Sequence, residues 1–275
     1  MGLTIGIDVG GSTTKIIGIN GGQILSPMFI KAIDPITSLF GAFGKYIYDN
    51  EINLEEVEQV VLTGVGSAYV DGNLYGLPTK KVDEFLANGL GACYGSNLEN
   101  LIVVSMGTGT SFVLVNENGI EHTGGLGIGG GTLQGLSQLL LKTNDIHKLS
   151  ELASQGNIEN VNLKIKDICN MALPGLPLEA TASLLGKVTS NTSDADIAIG
   201  LIYMVLQTIG ASAVLSALNT PIKDFVLIGN LTQLPQCKTI FSYMENIYHV
   251  KFHIPSHAEY RTAIGAALAN INKIV

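Results

Sequence analysis

This chain of 275 residues has no tryptophan, and it has few prolines, cysteines and charged side chains. Charged residues make up only 14% of it, whereas apolar residues make up 46%, so a sizeable core is available. Eight prolines stand beside 33 glycines, and the apolar content excludes a disordered glycine-rich chain. The length predicts one large unit or two domains of ordinary size.

Positively charged residues are also few, because the sequence has 15 Lys and Arg against 23 Asp and Glu, and its net charge is −8. The sequence therefore has neither the basic surface expected of a nucleic-acid binder nor a basic run suited to an anionic membrane. We expect no nucleic acid and no membrane among its partners.

The three cysteines, Cys93, Cys169 and Cys237, form no CxxC pair and no spacing typical of metal ligands. They predict reduced thiols in a cytoplasmic protein. No basic region opens the chain, so a signal peptide is not expected.

One apolar segment, residues 197–218, is long enough to span a bilayer. It contains Gln207, Thr208, Ser212 and Ser216, and it lacks basic flanks and aromatic belts. We therefore expect a buried helix of a soluble protein.

Hydrophobic periodicity predicts two α/β halves. In the first half, strands are expected at 3–8, 15–19, 28–32 and 57–63, with helices at 35–50 and 82–94. In the second half, strands are expected at 100–105, 111–115, 225–229 and 250–254, with helices at 132–142, 197–218 and 263–273. Both halves begin with a strand, a glycine turn and a second strand, which indicates a structural repeat. We expect an N-terminal lobe over 1–98, a C-terminal lobe over 99–275, and a cleft between them.

The first motif is DVGGSTTK at residues 8–15. Glycines let the backbone approach phosphate oxygens, and successive N–H groups can form a nest for anions. Asp8 is suited to Mg²⁺, directly or through water, and Lys15 supplies a point charge for phosphate. The residues expected to bind the nucleotide are Asp8, Gly10, Gly11, Ser12, Thr13, Thr14 and Lys15. An ordinary hairpin turn is the alternative.

A second loop, SMGTGTS at residues 105–111, repeats this chemistry and includes Thr108. Two facing hairpins of this kind can clamp a triphosphate between two lobes. Neither loop is a Walker A motif, because GxxxxGK[ST] is absent. Neither is a Rossmann fingerprint, since each glycine cluster lies between two strands.

Two further glycine clusters favour a nucleotide. Residues 129–134 (GGGTLQ) open a predicted helix, whose first N–H groups suit a phosphate or a polar nucleotide edge. Residues 228–230 (IGN) follow an apolar strand, where glycine lets a flat adenine lie against backbone, although a plain strand end explains them nearly as well. The residues concerned are Gly130, Gly131, Thr132, Leu133, Gln134, Gly229 and Asn230.

Residues 81–85 (KVDEF) place two carboxylates at the start of a predicted helix. A kinase acting on an alcohol needs a carboxylate that accepts the hydroxyl proton and orients the oxygen. The residues alone do not distinguish Glu84 from Asp83, or either from the acidic residues that commonly begin helices.

The motifs IGIDVGGSTTK, KVDEF, SMGTGTSF, TGGLGIGGGTLQGL, IGN and YRTAIGA, in this order, resemble the type II, or eukaryotic-type, pantothenate kinases. The resemblance covers nearly the whole chain, and GGGT-x-x-GL together with KVDE is its specific part. It implies a two-lobed actin-like ATPase fold, which is a duplicated ribonuclease H-like fold, and usually a homodimer formed through a helix of the C-terminal lobe. It also implies MgATP-dependent phosphorylation of pantothenate, the first step toward coenzyme A.

The resemblance assigns roles to individual residues. It implies Glu84 as the catalytic base, and nucleotide contacts from 8–15, Thr108, 130–134 and the region of Gly229. It implies that Ser111 contacts the acyl substrate, and that His122 and Gly124 lie in the substrate-binding segment.

One departure concerns the substrate. The family commonly has an arginine where this chain has His122, and that arginine helps to hold pantothenate. A neutral histidine is not a bidentate carboxylate clamp, so pantetheine becomes an alternative acceptor. Arg261, at a position where the family does not usually have arginine, is a hypothetical replacement for the missing charge.

Other functions remain open. The opening GIDVGGSTTK also resembles the activator ATPases of 2-hydroxyacyl-CoA dehydratases, which hold an iron–sulfur cluster between two subunits, but the three cysteines do not match that pattern. Another small-molecule kinase is possible, although the cysteine cluster and the aspartate base of many sugar kinases are not found. A non-catalytic filament or regulatory module would explain the phosphate loops but not KVDE.

Overall fold

A computed structural model describes residues 2–31, 34–169, 171 and 177–271. The strands are β1 (Leu3–Val9), β2 (Thr13–Asn20), β3 (Gln23–Lys31), β4 (Val57–Thr63), β5 (Thr79–Lys81), β6 (Leu101–Met106), β7 (Thr110–Asn116), β8 (Gly119–Leu126), β9 (Leu163–Lys164), β10 (Thr181–Ser183), β11 (Asp224–Ile228) and β12 (Lys251–His253). The α-helices are α1 (Pro35–Asp49), α2 (Glu84–Cys93), α3 (Gly130–Leu141), α4 (Ile146–Ala153), α5 (Ile165–Ile168), α6 (Asp194–Ser216), α7 (Pro235–Tyr248) and α8 (Arg261–Ile271).

Two five-stranded sheets share one topology. The first has the order β3-β2-β1-β4-β5, and the second, read in the same direction, has the order β8-β7-β6-β11-β12. In each sheet the first three strands are antiparallel neighbours, and the last two are added in parallel. This confirms the predicted structural repeat. The strands β9 and β10 form a separate antiparallel pair.

The first sheet is covered on both faces because its residues alternate. The odd-numbered residues of β1, such as Ile5 and Ile7, pack against Leu39 and Phe43 of α1. The even-numbered residues face α8, and Gly6 lies so close to it that a Cβ would come within 2.1 Å of the Ala263 carbonyl oxygen. Helix α1 begins at Pro35 after an Asp34 cap, whose carboxylate accepts the Thr37 N–H at 2.8 Å.

The second sheet lies between two cores. Even-numbered residues of β6 and β7, such as Val104 and Phe112, pack with α3, α4, α6 and α7. Odd-numbered residues, such as Val103 and Val113, pack against α2. Helix α2 therefore lies against the second sheet, although it follows the last strand of the first.

Helix α6 is the expected apolar helix. Among the described residues it is the one helix long and apolar enough to cross a membrane, and 61% of its most apolar window is buried inside the protein. Its side chains form much of the second-lobe core, which agrees with the predicted buried helix. It begins at a Ser193 cap that accepts the Asp196 N–H at 3.1 Å.

Helices α2 and α8 cross with their backbones in contact. A Cβ at Gly91 would lie 1.8 Å from the Arg261 carbonyl oxygen, and a Cβ at Gly265 would lie 1.8 Å from the Ala87 carbonyl oxygen. No side chain fits at either position. The two glycines therefore set the separation of the helices.

Some elements differ from the sequence-based expectations. Helix α7 was not predicted, although Pro35 and Pro235 open their helices alike and α7 buries Cys237, Ile240, Phe241 and Met244 at helical spacing. Strand β8 was not predicted either, and it includes the first residues of the glycine-rich segment at 124–131. The predicted ends of β3 at Ala32 and of the last helix at Lys273 lie outside the described residues.

The expected division into lobes 1–98 and 99–275 stays a prediction. The sheets fall on either side of residue 98, but α8 packs against β1 and β4 of the first sheet. The last helix of the chain thus completes the core of the N-terminal half.

We expect Gly265→Ala to destabilise the protein strongly, because a methyl group cannot be accommodated 1.8 Å from a backbone oxygen. Overpacking of this kind should lower Tm by about 6 °C or more in calorimetry. The matched control is Gly41→Ala in α1, where a Cβ would meet nothing within 4 Å. That change should stabilise by about 0.5–1 kcal/mol, and equal effects of the two changes would contradict the packing argument.

Candidate functional site

The tips of the two hairpins approach each other. In the first, the Gly10 N–H donates to the Thr13 carbonyl at 3.0 Å and closes the turn between β1 and β2. The Ser12 hydroxyl on this turn lies 3.4 Å from the Thr108 hydroxyl on the turn between β6 and β7. The structure therefore brings the two predicted phosphate loops together.

Asp8 lies at the end of β1, directly below the first turn. It is buried, it pairs with Lys15 across the hairpin, and the Lys15 Nζ is 3.8 Å from its carboxylate. Burial raises the pKa of Asp8, and the charge of Lys15 opposes that rise. A carboxylate held in this way gains from a cation, which is what a metal site requires.

Glycines close the floor of the site in both lobes. Gly64 follows β4, has φ 85°, and a Cβ there would lie 2.6 Å from the Asp8 carboxylate. Gly229 follows β11, has φ 96°, and a Cβ there would lie 2.5 Å from the Met106 carbonyl. Both positions need glycine for conformation and for space. Gly229 and Gly64 are equivalent in the repeat, and Asn230 is half-buried beside Gly229.

Glu84 is the first residue of α2 and is half-buried above the first sheet. Its pKa is raised from 4.5 to about 7, first by burial and then by the negative charges of Asp8 and Asp83, while the charge of Lys15 opposes the rise. The helix N-terminus would favour the ionised form, but burial outweighs it. Glu84 is thus close enough to Asp8 and Lys15 to share their field, with a pKa suited to a base near neutral pH.

Asp83 has another role. One of its carboxylate oxygens accepts the N–H groups of Phe85 and Leu86, both at 2.9 Å, so it is the N-cap of α2. Of the two carboxylates that the sequence left open, Glu84 is therefore the one whose oxygens are not used by the helix.

Thr63 adds a polar group that the sequence did not single out. It pairs with Asp8 between β4 and β1, so the two side chains point to the same face. Its hydroxyl is buried and has no hydrogen-bond partner. A lone hydroxyl beside a buried carboxylate is available to a bound metal ion or its water.

In the GGGT segment, the backbone N–H groups that were predicted to face a phosphate or a nucleotide edge bind backbone carbonyls instead. The N–H groups of Gly130 and Gly131 donate to the carbonyls of Gly107 and Thr108, at 2.8 and 2.9 Å. A Cβ at Gly129 would lie 2.7 Å from the Thr108 carbonyl. These N–H groups therefore hold the second hairpin to α3 instead of facing a phosphate, which corrects the expectation that they are free donors.

The other predicted residues of this segment are divided between core and surface. Thr132 accepts the Gly129 N–H at 3.2 Å and donates to the Gly127 carbonyl at 3.0 Å. Leu133 is fully buried in the second-lobe core, and Gln134 is exposed. Thr132 is half-buried and Gln134 is exposed, so a nucleotide contact from these two side chains stays a prediction.

Thr14 is also directed elsewhere. It pairs with Val9, whose side chain packs on the α1 face, so its hydroxyl lies on the face of the sheet opposite to Asp8. The hydroxyl is buried without a partner. The expected phosphate contact from this side chain does not agree with its position, whereas Gly11 and Ser12 are exposed at the turn.

A row of hydroxyls faces α2 from the second sheet. Ser105 and Ser111 are paired in β6 and β7, and they continue the row of valines that packs under α2. Both are half-buried. Ser111, predicted to contact the acceptor, therefore lies on the face of the sheet that packs against α2, the helix that begins at Glu84.

His122 stacks on the phenyl ring of Phe85, with centroids 3.8 Å apart and an interplanar angle of 11°. A β-bulge between Phe112 and Val113 of β7 shifts the register of β8 here, and such bulges re-aim side chains. Gly124 follows the bulge with φ 144°. The stack places an imidazole beside the residue next to Glu84.

Arg261 does not replace the missing charge. It is buried, and its guanidinium donates to the carbonyls of Gly91, Tyr94 and Ser256 at 2.9, 2.5 and 2.9 Å. All three acceptors are backbone, so Arg261 fixes the C-terminal end of α2 to α8. The hypothesis that it binds the acceptor was wrong.

Sequence reasoning missed Thr63, Gly64 and Phe85 as parts of the site. The sequence TGVG after a buried strand repeats the position of IGN after β11, so a comparison of the two halves could have found the first two. The stack of Phe85 on His122 depends on the bulge in β8, and no sequence signal indicates it.

Comparisons with known proteins were made for sequence and for fold. The family model called Fumble matches residues 94–269. A type II pantothenate kinase of Staphylococcus aureus is 29% identical over 239 residues, which cover 83% of this chain and 84% of the relative.

Among solved structures, component A of the (R)-2-hydroxyglutaryl-CoA dehydratase of Acidaminococcus fermentans has a TM-score of 0.70 at 19% identity, covering 98% of this chain and 97% of that one. A ROK family glucokinase of Streptomyces griseus, solved with glucose and AMPPNP, has a TM-score of 0.64 at 13% identity, covering 97% and 98%. Both are similar in fold alone. They confirm the predicted two-lobed actin-like fold class.

We expect the Glu84→Gln variant to be more stable than the wild type at alkaline pH. A carboxyl with a raised pKa stabilises the folded state below 4.5, and this contribution is lost as pH rises through about 7. At pH 8.5 the variant should be more stable by about 2 kcal/mol, and at pH 4.5 the difference should vanish. Thermal unfolding at both pH values measures this.

The exposed carboxylate Glu99 provides the control, because Glu99→Gln should change stability little at either pH. A Glu84→Gln variant with the same advantage at pH 4.5 and 8.5 would show that burial of charge is not the cause.

Proposed function

Since the chain belongs to the Fumble family, that of the type II pantothenate kinases, and is an ATP-dependent kinase, we propose that its acceptor is pantothenate, phosphorylated at the primary hydroxyl. This reaction would be the first step toward coenzyme A. The Staphylococcus relative carries the name of this activity. The substrate assignment rests on the site as well as on the family.

The observation that carries the proposal is the position of Glu84. Its carboxylate shares the field of Asp8 and Lys15, and its pKa of about 7 suits it to take the proton of an alcohol. In the proposed reaction Glu84 accepts the proton of the acceptor hydroxyl while the γ-phosphoryl group moves to that oxygen. Lys15, Ser12 and Thr108 lie where the phosphates would be held, at the junction of the two hairpins.

Mg²⁺ fits the residues present. Asp8 is a buried carboxylate whose charge is opposed by Lys15, and the unpartnered Thr63 hydroxyl lies on the same face. Mg²⁺ commonly takes one carboxylate and keeps waters that need hydrogen-bond partners. Asp8 would hold the ion and Thr63 one of its waters, and the ion would neutralise charge on the phosphates.

The acceptor would lie between Glu84 and the hydroxyl row of the second sheet. Ser105 and Ser111 can donate to amide or hydroxyl oxygens of the acceptor. His122 and Phe85 form the wall at the end of this row. A carboxylate at that wall would meet a histidine and not the permanent cation of an arginine, so the affinity for pantothenate should be modest.

The Glu84→Gln variant should lose most phosphoryl transfer to pantothenate while binding ATP with unchanged affinity. The base is removed, but the phosphate loops remain. In the wild type kcat/KM should rise with pH through about 7, because the ionised carboxylate is the active form. A coupled assay for ADP and calorimetric titration with a nonhydrolysable nucleotide measure both parts.

Glu99→Gln should leave transfer unchanged. Full turnover in Glu84→Gln would remove the assignment of the base. Absence of transfer to any acceptor, with nucleotide hydrolysis retained, would favour the activator-type ATPase or the filament.

The His122→Arg variant should lower KM for pantothenate several-fold and leave KM for pantetheine unchanged. Only pantothenate carries a carboxylate, and a charged hydrogen bond from arginine contributes about 1.5–3 kcal/mol. Steady-state kinetics of both acceptors measure the difference. His147→Arg on the exposed face of α4 adds the same charge away from the site and should change neither KM. A wild type that phosphorylates pantetheine alone would contradict the proposed acceptor.

A further inference from the structure

A buried polar pair of side chains lies inside the crossing of α2 and α8. The Thr262 hydroxyl donates to the Asn88 side-chain oxygen at 2.7 Å, and both residues are buried. The Asn88 side-chain nitrogen has no hydrogen-bond partner. Neither residue belongs to the motifs of the phosphate loops, and the proposed reaction described above does not use the pair.

The pair lies on the axis that relates the two halves of the crossing. Asn88 and Thr262 are 174 residues apart. Gly91 and Gly265 have the same separation. Gly91 lies on the carbonyl of Arg261, four residues before Gly265, and Gly265 lies on the carbonyl of Ala87, four residues before Gly91. The helices therefore cross with an internal two-fold symmetry, and Asn88 and Thr262 occupy equivalent positions at its centre.

The crossing connects the two carboxylates of the site. Asn88 lies one helical turn after Glu84 on α2. Thr262 precedes Ala263, whose carbonyl rests on Gly6 of β1, and Asp8 is two residues further along that strand. A shift of α2 along α8 would thus move Glu84 relative to Asp8.

The other contacts of the crossing restrain this shift in different ways. The glycine contacts fix how closely the helices approach, but a smooth backbone surface does not fix their position along each other. Arg261 holds α2 at its far end, through the carbonyls of Gly91 and Tyr94. The bond from Thr262 is directional, and it is the nearer of these polar contacts to Glu84.

We propose that Thr262 and Asn88 are positioning residues, which set α2 on α8 so that Glu84 is held at the working distance from Asp8 and the acceptor hydroxyl. The proposal rests on the proposed role of Glu84 as the base. Loss of the Thr262 hydroxyl leaves a buried amide oxygen without its donor, in a side chain whose nitrogen already lacks a partner. The helix then moves to reduce that cost, and Glu84 moves with it.

The test uses Thr262→Val, which keeps the shape and removes the donor. We expect kcat to fall about tenfold or more, since small misplacements of catalytic groups have large effects on rate. KM for ATP and the Kd of a nonhydrolysable nucleotide should stay within twofold, because the hairpins are untouched. Thr262→Ser keeps the hydroxyl and should restore kcat, which loss of stability alone would not explain.

The symmetry offers a second variant in case Thr262→Val folds poorly. The double variant Asn88→Thr with Thr262→Asn exchanges the two side chains, so that the hydroxyl lies on α2 and the amide on α8. It should recover more kcat than Asn88→Thr alone, at matched folded fractions from circular dichroism. A wild-type kcat in folded Thr262→Val, or no recovery in the exchange, would overturn the proposal.

Two outcomes separate this proposal from the proposed function. If Glu84→Gln is inactive, adding Thr262→Val to it should reduce the residual rate no further, because Thr262 acts through Glu84. A further tenfold loss would overturn the positioning role and leave the base in place. If Glu84→Gln keeps full turnover, the proposed function fails first, and the positioning role fails with it.

Discussion

The close crossing of α2 on α8 is the contact on which the rest of the site depends. Three glycines, Gly6, Gly91 and Gly265, allow backbone to lie on backbone where a Cβ would come within 1.8 to 2.1 Å of a carbonyl oxygen. Because α8 rests on the first strand, and the helix bearing Glu84 rests on α8, the positions of Glu84 and Asp8 are linked through one set of backbone contacts.

That arrangement has an energetic cost, since it places like charges together in a buried site. Asp8 and Glu84 each have a raised pKa, and burial is the first cause for both. Lys15 compensates one charge, not two. The unpartnered hydroxyl of Thr63 adds another unmet requirement beside them. In the proposed function a cation and phosphates would complete this site, and binding of the nucleotide would then add to the stability of the lobe.

Much of this could be predicted from sequence, because the strands and the two glycine hairpins are local patterns. The segments 3–9, 57–63 and 101–106 are short buried strands bounded by glycine, and all are where the pattern puts them. Which group a glycine backbone approaches depends on tertiary contacts, which a local pattern does not contain. In GGGT the glycines approach the second hairpin and not a phosphate, and the spacing is the same in either case. The stack of His122 on Phe85 and the position of Arg261 depend on contacts between distant elements, which no local pattern contains.

The two halves of the repeat have the same strand topology, but equivalent positions carry different side chains. Asp8 and Ser105 occupy equivalent positions at the ends of β1 and β6, as Gly64 and Gly229 do after β4 and β11. A carboxylate at both ends would place two negative charges near the hairpin tips, whereas this chain has one carboxylate and one hydroxyl there. In the proposed function the charged side would take the metal and the neutral side the acceptor. The same asymmetry holds in the crossing helices, where the 174-residue separation pairs Glu84 with Ala258. The duplicated fold therefore provides two similar sides, and they differ because the first half carries a carboxylate where the second half carries a hydroxyl.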